Sequence, residues 1–130
     1  MEKKDELNKK QVSQTEKEIF KMRLIDFSVS ILRLCHELRK DPTLIPLCDQ
    51  LIRSATSIGA NINEAQGANS KKDFANYFQI ALKSARETRY WIQVMERYNN
   101  KIKGIEFVRN ENEALINVLH ASLKTLRSKL

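Results

Sequence analysis

Four apolar stripes at helical spacing constrain this chain more than any other feature. Phe20, Leu24, Phe27, Ile31, Leu34 and Leu38 step by fours and threes, which places them on one face of a helix. Leu44, Cys48, Leu51, Ala55, Ile58 and Ile62 repeat the pattern, as do Phe74, Phe78, Ala81, Ala85, Thr88, Ile92 and Met95. Ile116, Leu119, Leu123, Leu126 and Leu130 carry the fourth stripe, in a helix that begins near Ile105. No segment alternates with the period of two that a half-buried strand requires. Among 130 residues there are only 3 Gly and 2 Pro, so turns are few and elements long. The spacing predicts an all-α fold, an antiparallel up-down-up-down four-helix bundle with helices of roughly 20 to 28 residues.

The breaks between stripes fit this. Pro42 disfavours helical geometry at Asp41, Gly67 can end the second helix, and Ser70 with Asp73 three residues on resembles a capping box. "YNNKIKG" interrupts the third helix before the fourth. Residues 1–13 are polar and mixed in charge, and read as a frayed N-terminal tail ahead of a bundle domain over 14–130. The start "MEKKDELNKK" has no apolar run and is not a signal peptide. No stretch approaches the ~20 apolar residues of a membrane span, so a cytoplasmic protein without membrane partners is expected. Cys35 and Cys48 lie in apolar helical patterns and are expected as buried free thiols, although spacing alone leaves a disulfide between them open.

One stretch is unusual for so basic a chain. "RSATSIGANINEAQG", from Arg53 to Gly67, is small-sided and carries only Arg53 and Glu64 as charges. At about 100° per residue, Arg53, Ser57, Ala60 and Glu64 fall opposite the apolar stripe of their helix. Small residues there, with Asn61 among them, let another backbone approach closely. On the third helix Ile80, Ser84, Glu87 and Trp91 form a flank beside the core stripe, an odd patch for a monomer. These residues predict a packing network or a subunit interface, with self-association as the simplest source of a partner. Arg53, Glu64 and Glu87 are candidates for a buried or half-buried charge network.

The same region resembles a known family. Arg53-Ser54, Ser57 to Ile62, Glu64, Gly67, Ser70, Asp73-Phe74, Ala81, Ser84 and Glu87 are similar to the signature of the four-helix-bundle proteins encoded in 23S rRNA intervening sequences. Ala65-Gln66-Gly67 stands where many members have a glycine directly after the glutamate. The resemblance implies a ring-like homo-oligomer, most simply a homopentamer. It also implies distant kinship with the accessory variability determinant proteins of diversity-generating retroelements, which bind nucleic acid and a reverse transcriptase through a basic surface.

Catalytic constellations are not evident in the sequence. A di-iron bundle needs Glu-x-x-His, but Arg33 and Asn117 stand three residues before His36 and His120, the only histidines. Neither histidine has an arginine four to six residues further upstream, as helical ribonucleases of the Arg-x4-6-His kind would require. Cys35 and His36 are neighbours and diverge by about 100° on a helix. There is no glycine-rich phosphate loop and no zinc spacing. The expectation is a non-enzyme with no metal and no cofactor.

Charge gives a different lead. The net charge is +7, and nearly all of the excess lies after Asn69: 12 basic against 6 acidic residues, compared with 11 against 10 before it. On the third helix Lys72, Lys83, Arg86 and Arg97 fall within about 60° of one another, with Tyr90 and Gln79 in the same stripe. Lys71, Arg89, Lys101, Lys103 and Arg109 add charge nearby in sequence. Long cations at this spacing can span successive phosphates, and a tyrosine can stack on a base. The expectation is a nucleic-acid-binding accessory protein that contacts the RNA or DNA backbone with little sequence selectivity. The alternative is a scaffold that holds a protein partner, such as a reverse transcriptase, without touching nucleic acid.

Overall fold

A computed structural model of the chain describes residues 2–130, apart from the side chains of residues 12–14. Four helices follow in order: α1 over Glu2–Leu38, α2 over Ile45–Ala65, α3 over Lys71–Tyr98 and α4 over Ile105–Ser128. A single 3₁₀ turn, Pro42–Leu44, joins α1 to α2. The described residues contain no strand. α2 packs most extensively on α3, α3 on α4 and α1 on α2, while α1 and α4 meet sparsely. This is the four-helix bundle that the stripes predict.

Local chemistry accounts for the helix ends. The Asp41 carboxylate accepts the Thr43 N–H at 3.0 Å, closing the turn that Pro42 begins. Ser70 accepts the Asp73 N–H at 3.0 Å, and Asp73 in return accepts the Asn69 N–H at 3.3 Å. That is a capping box shifted by one residue at its return bond. The left-handed glycine is Gly104, at φ 89°, immediately before α4. Gly67, expected to end α2 in that way, does not adopt positive φ; its N–H continues to the Glu64 carbonyl at 3.0 Å.

α1 differs from the expected boundary. The tail expected over 1–13 is helical from Glu2 onward, making α1 37 residues long; Met1 lies outside the described residues. No Pro or Gly occurs before Pro42, and Glu, Lys, Leu and Gln are strong helix formers. The described side chains of this leader are all exposed, so propensity rather than packing explains its helix.

The core joins the four predicted stripes, apart from Leu130, which lies past the end of α4 and is exposed. Phe27, Ile31, Leu51, Ile58, Ile92, Met95, Leu115 and Leu119 are buried at its centre. Cys35 and Cys48 are free and buried among them. Each sulfur approaches the other residue's carbonyl, at 3.9 and 4.0 Å. Gly59 brings α2 close to α1: a Cβ there would stand 3.3 Å from the Leu24 Cβ. Across the sparse contact between α1 and α4, Arg23 makes a forked bond to Glu111, its Nη2 at 2.6 Å and its Nε at 3.2 Å.

Candidate nucleic-acid interface

The basic stripe of α3 faces outward because the opposite side of the helix carries Ala81, Ala85, Thr88, Ile92 and Met95, all buried. Lys72, Lys83, Arg86, Tyr90 and Arg97 are exposed. From Lys72 to Arg97 the face runs ~37 Å along the axis. The carboxylates of α3 are engaged elsewhere. Asp73 closes the N-terminal cap, Glu87 pairs with Arg53 at 3.3 Å and Glu96 with Arg109 at 2.6 Å. Among the described residues no carboxylate stands at ion-pair distance from Lys72, Lys83, Arg86 or Arg97. Their charge faces solvent uncompensated.

The other expected contributors separate into groups. Arg89 is half-buried and holds Glu113 of α4 through two bonds, at 2.5 and 2.9 Å. This ion pair neutralises it, so Arg89 is a clamp between α3 and α4 rather than part of the open stripe. Arg109 is taken up by Glu96 in the same way. Lys71 lines the groove between α1 and α2, away from the stripe. Lys101 and Lys103 are exposed in the turn between α3 and α4. Arg127 of α4, which the sequence reading left out, donates to Gln79 at 2.5 Å and so joins the face from the neighbouring helix. A wheel of α3 alone could not place it there.

Much of the small-residue face is absorbed within the chain. The Ser57 and Ser84 hydroxyls lie 3.0 Å apart. Asn61 donates to the Ser57 hydroxyl at 3.0 Å and to its carbonyl at 2.8 Å. Ser54 and Thr88 meet below them at 2.9 Å. At the rim Arg53 donates to Gln50 at 2.6 Å and to Glu87 at 3.3 Å, and Trp91 Nε1 donates to the same Glu87 oxygen at 3.3 Å. Arg53, Ser57, Asn61, Ser84, Glu87 and Trp91 thus form a polar seam between α2 and α3. The Arg53–Glu87 pair sits at the surface, not in a buried network, and Glu64 makes no side-chain bond to it among the described residues. Trp91 is half-buried, whereas Ile80 is 45% exposed.

Ala60 and Glu64 remain exposed. Ala60 lines an apolar groove of about 1580 Å³ together with Phe20, Ile25, Val29, Gly59 and Phe74. One wall belongs to a second apolar stripe on α1 that the sequence reading missed. Met22, Ile25, Val29 and Leu32 step by three and four and are exposed. The signal was present at the same spacing as the core stripe, offset around the helix.

No group of three or more His, Cys, Asp or Glu among the described residues is placed to hold a metal ion. No helix there is long and apolar enough to cross a membrane.

Comparison with known proteins agrees with this architecture. A crystal structure of a protein with unknown function from the S23 ribosomal protein family of Bacteroides thetaiotaomicron VPI-5482 is similar at 35% identity and a TM-score of 0.74. The similarity covers 80% of this chain and 97% of that one. No curated protein matches the chain. A family model described as 23S rRNA-intervening sequence protein matches residues 8–121, a span that reaches into all four helices and contains the polar seam. The chain therefore belongs to the 23S rRNA-intervening sequence protein family.

Proposed function

We propose that the protein is a non-catalytic accessory protein that binds the nucleic-acid backbone through the outer face of α3. The observation that carries this reading is the set of uncompensated cations Lys72, Lys83, Arg86 and Arg97 on one face, with the acids of the same helix engaged by Arg53, Arg109 and the N-terminal cap. Such a face gains affinity by releasing counterions from a polyanion. It carries no arrangement that would read a base edge, so selectivity is expected to be weak. The triple change Lys83→Ala, Arg86→Ala and Arg97→Ala tests it. Affinity for RNA and DNA should fall, and its dependence on salt should flatten by about three contacts' worth. Unchanged affinity and slope would remove the α3 face from consideration.

Self-association would accompany this role, and the exposed stripe Met22, Ile25, Val29 and Leu32 favours it. An apolar helix face of that length calls for a cover. We assign the cover to further copies of this chain, packed over α1 and the Ala60 edge of α2. A homopentameric ring of this kind would present the basic face five times and multiply weak contacts.

A further inference from the structure

We infer that Tyr90 is a stacking platform for an unpaired base, so that the α3 face takes single-stranded nucleic acid in preference to duplex. This rests on reading that face as a nucleic-acid surface and goes beyond it by naming the form of the ligand. Tyr90 is 57% exposed and stands within the cationic stripe. Arg86 lies one turn before it, Lys83 two turns before and Arg97 two turns after. A strand running along the face would meet cations on both sides of the ring.

The ring has one aromatic neighbour, set edge-on to it. Tyr90 and Trp91 meet with centroids 5.1 Å apart at 64°. Trp91 is half-buried and donates to Glu87, and Glu87 accepts in turn from Arg53 of α2. The chain Arg53–Glu87–Trp91 therefore gives Tyr90 a fixed neighbour. An aromatic ring ordered before binding loses less freedom when it stacks. Paired bases in a duplex already stack on one another and offer the ring no free base face. A single strand offers phosphates to the cations and a base face to the tyrosine.

The test compares a labelled single-stranded oligonucleotide of mixed sequence with its duplex, by fluorescence anisotropy at one salt concentration. Wild type, Tyr90→Ala and Tyr90→Phe are measured, with circular dichroism to verify their helices. Wild type should bind the single strand more tightly. Tyr90→Ala should lose about tenfold in single-strand affinity and leave duplex affinity unchanged, while Tyr90→Phe, which keeps the ring, should retain both. Trp91 is the only tryptophan, so its emission should change on adding the single strand and not on adding duplex. If Tyr90→Ala lowers both affinities equally, or neither, the platform is overturned while backbone binding by α3 stands. If wild type binds neither form, the α3 reading itself fails and the platform with it.

Discussion

The hydroxyl of Thr88 on α3 lies 2.9 Å from that of Ser54 on α2, and solvent reaches neither side chain appreciably. Thr88 also reaches the Ser84 carbonyl at 2.8 Å, and Ser54 the Leu51 carbonyl at 3.3 Å. The two hydroxyls thus pair inside the most extensive helix contact of the bundle. Thr88→Val keeps the shape and removes the hydroxyl, and should cost about 1 kcal/mol. The double change Thr88→Val with Ser54→Ala should cost less than the sum of the single changes, because no buried hydroxyl is then left with a missing partner. A denaturant-unfolding cycle measures both; additive costs would show that the pair is not coupled.

Asn112 of α4 is buried and donates to the Ala85 carbonyl at 2.9 Å, while its Oδ1 has no protein partner among the described residues. An orphaned buried acceptor is destabilising, so Asn112→Leu should raise stability by about 1 kcal/mol, or roughly 4 °C in Tm. A lower Tm would mean that the amide contributes more to seating α4 than its single bond suggests.

Arg89 and Glu113 set an acid dependence. The hydrogen bond from Arg89, aided by its charge, holds the Glu113 carboxyl below the usual glutamate range. A carboxylate lowered in the folded state stabilises fully above its unfolded pKa and loses that contribution as pH falls through the folded value. Glu113→Gln should therefore lower stability by about 0.5 kcal/mol at neutral pH, a small effect because the pair is partly solvated. The difference from wild type should vanish in strong acid. Thermal unfolding across that pH range checks it, and a gap that persists in acid would count against the ion pair as its source.

Burial, followed by the proximity of Cys48, pushes the Cys35 thiol up to about 12. Burial raises Cys48 as well. Both thiols should be protonated and slow towards a disulfide reagent at mildly alkaline pH, and should react at once in denaturant. Labelling should follow opening of the α1–α2 contact. Rapid reaction in the native protein would place that contact among the least stable parts of the fold.

Ala60 separates the subunit reading from the intrachain one. Ala60→Arg adds a long cation to the edge of the apolar groove without disturbing the seam, in which Ala60 takes no part. Light scattering on a sizing column should show a smaller assembly with helix content preserved. An unchanged mass would exclude this edge of α2 as the covered surface.

The sequence by itself determined the presence of four helices, most of each core face, the Ser70–Asp73 cap and the outward direction of Lys72, Lys83, Arg86 and Arg97. Each of these follows from spacing within one helix, where 3.6 residues per turn relates residue number directly to direction. The tertiary structure decided which polar residues meet. Whether Arg89 stays open or clamps Glu113, whether Ser57 faces a neighbour or Ser84, and whether Arg127 reaches Gln79 depend on how the helices are rotated and shifted against one another. The wheel of a single helix carries no such information. For the same reason Gly59 read as one more small residue until Leu24 was placed against it, and Met22, Ile25, Val29 and Leu32 gained meaning only once the core had been filled without them.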